Sequence, residues 1–177
     1  MQVIETNRLI IRGFLLSDLN DFFAYAKNDK VGPMAGWKPH VSLEESQEIL
    51  KSFVESTEVW AIVHKADNKV IGSIGLHNDR KRDNPNTRML GYVLSEEYWG
   101  KSLMLEAVHA ILNYAFNEQN LELVSVYHYP FNKQSGSVIK HAGFKYEGIQ
   151  RLSTVRYDGV KLDSTLYSMT KDEFNAI

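Results

Sequence analysis

A mixed, mainly antiparallel β-sheet with helices on both faces, an α/β architecture in one domain spanning residues 1–177, is the fold this chain predicts. Three observations carry that expectation. Short apolar runs of strand length alternate with longer segments whose apolar residues recur at helical spacing. Some neighbouring strands are joined by turns short enough for a hairpin, which makes them antiparallel. Others are separated by a helix, and such a crossover returns the next strand parallel. The resulting order is β-α-α-β-β-β-α-β-α-β-β.

The elements follow in turn. Residues 8–12 form a short apolar strand. Ser17 caps a helix over 18–26, with Leu19, Phe22, Phe23 and Ala26 on one face. Residues 32–40 hold two prolines and two glycines and read as a loop. Ser42-Leu43-Glu44-Glu45 is a capping box that opens a second helix to about Phe53. Strands over 60–64 and 70–76 flank Asp67-Asn68, which suits a tight turn. The charged stretch 78–86 reads as an exposed turn, and 88–94 as the next strand. The longest helix covers 102–116, with Leu103, Ala107, Ile111 and Tyr114 spaced for burial. A strand of mixed polarity over 123–129 precedes a helix over 132–141 that stops at Gly143. Strands over 144–149 and 165–169, joined through Asp158-Gly159, close the sheet. No internal repeat or low-complexity tract interrupts this order.

The most informative stretch is Gly91-Tyr92-Val93-Leu94-Ser95-Glu96-Glu97-Tyr98-Trp99-Gly100-Lys101-Ser102. A strand runs into a polar turn that opens directly into a helix. The first helical N–H groups lack intrahelical acceptors, and the helix dipole adds partial positive charge there. The arrangement is an anion site and points to a phosphorylated ligand.

Composition narrows the classes. Hydrophobic residues make up 44% and charged residues 24%, with a net charge of −2, so no basic face is implied and nucleic acid is not an expected partner. The chain has no cysteine, which excludes a disulfide framework, a thiolate zinc site and a cysteine nucleophile; no metal is expected. No apolar run approaches a membrane span, and Met1 to Glu5 lacks the features of a secretory signal. A cytoplasmic protein without a membrane partner is the expectation.

At this point the chain resembles the GNAT superfamily of acetyl-CoA-dependent N-acetyltransferases, and its Rim-type branch, which acetylates protein N-termini and assorted small amines. The resemblance is carried by Glu5-Thr6-Asn7-Arg8-Leu9-Ile10-Ile11-Arg12, by Val70-Ile71-Gly72-Ser73-Ile74-Gly75-Leu76, by Leu90-Gly91-Tyr92-Val93-Leu94, by Tyr98-Trp99-Gly100-Lys101 with Glu106-Ala107, by Asn132 to Ser135, and by Ala142-Gly143-Phe144-Lys145-Tyr146-Glu147-Gly148. It implies a splayed central strand pair, formed by the strands over 88–94 and 123–129. It implies acetyl-CoA as co-substrate, with the family's pyrophosphate loop falling on Trp99, Gly100, Lys101, Ser102, Leu103 and Met104. Ser102 stands where the family usually has glycine, and Met104 where it has glycine or alanine. Both changes keep the backbone N–H. Ser102 then requires a negative φ, and Met104 a side chain turned away from the ligand.

The resemblance further implies that Tyr92, Val93 and Leu94 offer backbone groups to the pantetheine arm, as an added strand would be held. Asn132 matches the family asparagine on that arm and also suits a helix N-cap. Ser135 matches a serine that protonates the leaving thiolate; the tyrosine that many relatives use is Ile139 here. The reaction implied is direct attack of an amine on the thioester, with the oxyanion stabilised by a strand N–H at or near Tyr92. Relatives often place glutamate two residues before Gly91, and this chain has Met89. His77, at a strand end, is the alternative base, and His128 a weaker one. Trp37 and His40, with His77, are the expected acceptor contacts. A site without a carboxylate base favours an acceptor that is already partly neutral, so an α-amine on a peptide or aminoacyl compound is expected ahead of a lysine side chain. A homodimer is the family's implied assembly. The competing readings are a CoA-binding sensor or resistance module without turnover, and a partner-binding domain without cofactor.

Overall fold

The protein is described by a computed structural model that covers residues 1–176. Eight strands are present: β1 (Ile4–Glu5), β2 (Leu9–Gly13), β3 (Val59–His64), β4 (Lys69–Asn78), β5 (Thr87–Leu94), β6 (Leu123–His128), β7 (Lys145–Val155) and β8 (Lys161–Thr170). The helices are α1 (Leu19–Ala26), α2 (Gly32–Ala35), α3 (Leu43–Glu55), α4 (Leu103–Asn113), α5 (Lys133–His141) and α6 (Lys171–Asn175). Hydrogen bonding orders the strands β1-β2-β3-β4-β5-β6-β8-β7. Pairing is antiparallel in β1–β2, β2–β3, β3–β4, β6–β8 and β7–β8, and parallel in β5–β6. The mixed, mainly antiparallel sheet expected from the sequence is present.

Two compact units divide the chain: Met1–Gly75 with Tyr92–Ala107, and Leu76–Gly91 with the chain from Val108 on. In the first unit, α1 and α3 pack on β3 through Phe14, Phe22, Tyr25, Ala26, Leu50, Val59, Ala61 and Val63, with Leu19, Trp37, Phe53 and Trp99 partly buried against them. The aromatic rings meet edge-on, Phe14 to Phe22 at 5.8 Å and Phe22 to Tyr25 at 5.4 Å, the arrangement the ring quadrupoles favour. α3 starts as its sequence requires. Ser42 Oγ accepts the Glu45 N–H (3.2 Å), and the Glu45 carboxylate reaches back to the Val41 N–H (2.7 Å).

α1 begins differently from the expectation. A 3-10 turn over Leu16–Asp18 precedes it, and Ser17 makes no cap. Asp18 organises the turn instead: its carboxylate takes the Leu15 N–H (2.8 Å) and both guanidinium nitrogens of Arg12 (2.8 Å each). A charged acceptor with a planar two-pronged donor outcompetes a serine hydroxyl at this position.

In the second unit the buried side chains include Val108, Ile111, Leu112, Ala115 and Phe116, spaced along α4 and the π turn (Tyr114–Glu118) that extends it, and Val124, Val126, Ile139, Phe144 and Met169. β7 is longer than its sequence suggests. It lies at the end of the strand order and is exposed along most of its length, so no alternation of burial marks it. Its pairing with β8 is interrupted between Tyr146 and Gly148 and between Gln150 and Thr154. Three further elements lie outside the expected order: the two-residue β1; the single turn α2, where a loop is expected over 32–40 and Pro33 instead sits in the first turn of a helix; and α6, whose Thr170 and Glu173 form a reciprocal cap.

His40, an expected acceptor contact, is largely buried by the fold. Only 8% of it is exposed. Its N–H donates to the Ala26 carbonyl (3.0 Å), its Nδ1 lies 2.7 Å from the buried Ser46 Oγ, and its ring stands edge-on to Phe22 at 5.4 Å. Trp37 packs beside it at 5.4 Å and closes over Gly32, where a Cβ would sit 2.7 Å from the indole. Both rings pin the 32–40 segment to the core. Burial lowers the His40 pKa, against a smaller opposing pull from Glu45.

A base whose folded pKa lies below its unfolded value contributes stability above the unfolded pKa and loses it as pH falls. Stability is therefore expected to drop from about pH 6.5 downward, at up to about 1.4 kcal/mol per pH unit. Urea titrations of wild type and His40→Gln across pH 5–8 check this: the variant loses this part of the slope.

Candidate active site

The first unit holds the strand-turn-helix that the sequence singled out. Gly72 sets its approach: a Cβ there would lie 2.2 Å from the Val93 carbonyl, so only glycine admits β5 at this distance. Ser95 N–H then donates to the Ile71 carbonyl (2.7 Å). A 3-10 turn over Glu96–Tyr98 follows and is tied at three points. Glu96 takes Lys30 Nζ (2.6 Å) and Asn28 Nδ2 (3.0 Å). Tyr98 OH donates to Asp67 Oδ2 (2.7 Å), which also meets His64 Nδ1 (2.8 Å). Trp99 Nε1 donates to the Leu94 carbonyl (2.8 Å).

Beyond Trp99 the backbone takes left-handed values at Gly100 (φ +72) and again at Ser102 (φ +57). This corrects the expectation of a negative φ at Ser102. The serine keeps the conformation that glycine would adopt more easily, at a cost of about 1–2 kcal/mol. Left-handed residues among successive N–H groups curve the backbone into an anion-binding concavity. Ser102 C=O accepts the Glu106 N–H (3.1 Å) at the start of α4, so the Leu103, Met104 and Leu105 amides stand ahead of this bond. Leu103 and Met104 are 1% and 5% exposed. Their side chains belong to the core, which leaves the face above their amides unobstructed by Met104.

Glu106 fastens this turn to the N-terminal segment. Its Oε1 accepts Thr6 Oγ1 (2.6 Å) and the Arg8 N–H (2.8 Å), and its Oε2 accepts Arg8 Nε (2.7 Å). The other arm of Arg8 donates to the Lys101 carbonyl (2.9 Å), inside the turn. Burial pulls the Glu106 pKa up, but Thr6 and Arg8 together outweigh it and hold the carboxyl below its ordinary value.

The second unit carries the remaining expected residues. β5 and β6 pair in parallel from Thr87↔Leu123 to Leu90↔Val126, and each strand then runs on, to Leu94 and to His128. Asn132 is the N-cap of α5: its Oδ1 accepts the Ser135 N–H (3.1 Å), which places Ser135 in the first turn, half-buried. Ile139 is 1% exposed and serves the core. His128 Nδ1 donates to the Tyr129 carbonyl (2.9 Å), which fixes Nε2 as the acceptor of the neutral ring. That ring packs on Tyr167 and lies 3.0 Å from where a Gly136 Cβ would be. The His77 ring lies 3.5 Å from the corresponding point above Gly91. Met89 is two residues from Gly91 and so shares that face of β5.

Beside Met89 a shallow cleft is lined by Lys81, Arg82, Ser125, Tyr127, Glu147 and Tyr167, among others. The charged stretch 78–86 is not a uniformly exposed turn. The Asp79 side chain is 1% exposed and accepts Ser125 Oγ (2.7 Å), the Lys81 N–H (2.9 Å) and Arg82 (2.8 Å). Arg82 also clasps Glu147 through both oxygens (2.6 and 2.7 Å), and Glu147 accepts Ser168 Oγ (2.8 Å). These partners lie up to 65 residues apart, which no local pattern announces. Among the described residues no cluster of His, Cys, Asp or Glu is placed to hold a metal, and no helix is long and apolar enough to cross a membrane.

A family profile for the acetyltransferase (GNAT) domain matches residues 8–145. The chain belongs to the GNAT family. It is an acetyltransferase, and known proteins similar to it agree. YjcK of Bacillus subtilis, named as a probable N-acetyltransferase, is 32% identical over 82% of this chain and 79% of its own length. The [ribosomal protein uS5]-alanine N-acetyltransferase of Escherichia coli is 28% identical over 61% of this chain and 55% of its own. A solved ribosomal-protein-S5-alanine acetyltransferase from Vibrio fischeri superposes with a TM-score of 0.79 at 26% identity, over 98% of this chain and 99% of that one. A GNAT acetyltransferase from Bacillus anthracis shares the fold at a TM-score of 0.86 and 22% identity, over 97% and 99%.

Two outcomes follow from the turn. Ser102→Gly relieves the left-handed strain while keeping the amide, so stability in urea rises by about 0.5–1 kcal/mol. Glu106→Gln loses about 1–2 kcal/mol at neutral pH. A carboxylate held below its unfolded pKa stabilises above about pH 4.5 and ceases to as pH falls further, so the two stability curves converge in acid. Parallel curves down to pH 3 contradict this role for the Glu106 charge.

Proposed function

We propose that the protein transfers the acetyl group of acetyl-CoA to a primary amine, with an α-amine on a peptide or aminoacyl compound as the preferred acceptor. The observation that carries this reading is the pair of left-handed residues, Gly100 and Ser102, immediately ahead of α4 with Met104 turned into the core. Fixed amides at a helix N-terminus suit the diphosphate of CoA, and they need no side chain to do so. Trp99 to Met104 are the residues we assign to that contact. Tyr92, Val93 and Leu94 contribute backbone groups for the pantetheine arm, on the part of β5 beyond its last pair with β6. Asn132 contributes to the same arm while capping α5.

The chemistry divides among few groups. The acceptor nitrogen attacks the thioester carbonyl carbon, and the C–N bond forms as the C–S bond breaks. The Tyr92 N–H donates to the carbonyl oxygen as it gains charge. His77 takes the proton lost from nitrogen, directly or through one water, and Ser135 returns a proton to the departing sulfur. His77 is supported by its place over Gly91, on the Met89 face of β5. Met89 itself cannot take a proton. With imidazole as the base, an amine of pKa about 8 costs roughly 3 kcal/mol less to deprotonate than a lysine amine near 10.4.

Thiol release from acetyl-CoA is the direct assay. Nε-acetyl-lysine, with a free α-amine, is expected to react at least ten times faster than Nα-acetyl-lysine, with a free ε-amine. His77→Gln is expected to lower kcat by about 10²-fold. Faster reaction at the free ε-amine overturns the acceptor preference. A rise in melting temperature with acetyl-CoA but no thiol release with any amine overturns turnover itself and leaves a CoA-binding protein.

A further inference from the structure

The cleft beside Met89 contains a charge that its own surroundings do not neutralise. Arg82 faces two carboxylates, Asp79 and Glu147, and both are within 2.8 Å of it. Lys81 adds a second cation to the same lining. Among the described residues its ammonium has no carboxylate at ion-pair distance. Its Nζ meets the neutral amide oxygen of Gln150 and stands 5.5 Å from the centre of the Tyr127 ring. The backbone beneath it is fixed, because the Lys81 N–H donates to Asp79 Oδ1 (2.9 Å) and Asp79 is itself held by Ser125 and Arg82. Desolvation lowers the Lys81 pKa, Asp79 opposing and Arg82 reinforcing, which fits an ammonium that lacks a charged partner.

We propose that Lys81 recognises an anionic group on the acceptor, so that the preferred amines carry a carboxylate. The inference rests on the acetyl-transfer reading above, and it adds the acceptor's second functional group. The His77 ring and Met89 share one face of β5, and Met89 lines the cleft that Lys81 also lines. An amine directed at His77 therefore has its substituent running along this face of β5, past Met89 toward Lys81. The apolar part of that substituent meets Met89 and Tyr127, and its carboxylate meets Lys81. A charge-assisted hydrogen bond to the Lys81 ammonium favours an acid over an amide of the same shape. The carboxylate has two sources: the α-carboxylate of a free amino acid, or an acidic side chain near a peptide N-terminus.

Paired acceptors separate these sources. One arm compares alanine with alaninamide, the other alanyl-glutamate amide with alanyl-glutamine amide. In wild type the acid member of at least one pair is expected to show the higher kcat/KM. Lys81→Met lowers that acid-to-amide ratio several-fold through KM, and Lys81→Arg restores most of it. Comparing ratios between wild type and variant cancels differences in amine pKa. Lys81 is exposed, so its substitution leaves the fold in place. A ratio that Lys81→Met leaves unchanged in both arms overturns the proposal. Binding of the acetylated products, followed by NMR, gives the same comparison without turnover. N-acetylalanine or N-acetyl-alanyl-glutamate amide is expected to bind more tightly than its neutral counterpart, and only while Lys81 or its arginine replacement is present. A protein that binds in this way and acetylates no amine refutes the transfer reaction but not the cleft. Equal binding of acid and neutral products refutes the cleft.

Discussion

A single carboxylate fixes the part of the first unit on which the rest of the account depends. Glu106 lies in the first turn of α4, and it accepts three hydrogen bonds from Thr6 and Arg8. Arg8 spends its remaining arm on the Lys101 carbonyl. The N-terminal segment, the turn and the helix are thereby held as one body by charge-assisted bonds that tolerate little displacement. That restraint explains how a serine keeps a left-handed backbone at Ser102. A strained residue persists only where its surroundings over-determine it. Here the ring of bonds around Lys101 and Glu106 supplies that determination, and the strain sits where an anion would be gripped.

The second unit uses charge in another way. Asp79, Arg82 and Glu147 neutralise one another and are satisfied by Ser125 and Ser168. Such a network contributes little net stability, because desolvation offsets its attraction, but it fixes geometry. What it fixes is the turn after β4, and with it Lys81. The two units thus show the same arrangement: a local backbone conformation is set by a partly buried ion pair whose partners are distant in sequence.

Much of the fold was legible in the sequence because burial leaves a periodic mark. β3, β4 and β5, and the helices α3, α4 and α5, stand close to where apolar spacing, the Ser42 cap and the stop at Gly143 put them. β7 left a mark only in its first half, where a strand over 144–149 is expected; beyond that it is exposed along most of its length and owes its extent to β8. α6 left one as well, in Thr170 and Glu173, a capping pair of the same kind as Ser42 and Glu45. The candidate site was legible by chemistry more than by geometry. The turn after Trp99 and the Asn132 cap follow from residue type. The sign of φ at Ser102 does not, because any residue can be driven left-handed by contacts that sequence spacing hides. The packing of His40 was hidden for a related reason: its contacts with Phe22 and Ser46 join a loop to two helices. The Arg82 bridge to Glu147 joins residues 65 apart, and only the folded sheet brings them together.

The central claim is that backbone amides from Gly100 to Leu105 grip a diphosphate. Amide chemical shifts followed by NMR during titration with CoA test it at the atoms concerned. The account predicts that these amides move furthest and saturate together, and that CoA moves them where pantetheine, which lacks the diphosphate, does not. Saturable CoA binding that leaves the Gly100–Leu105 amides unmoved would contradict it.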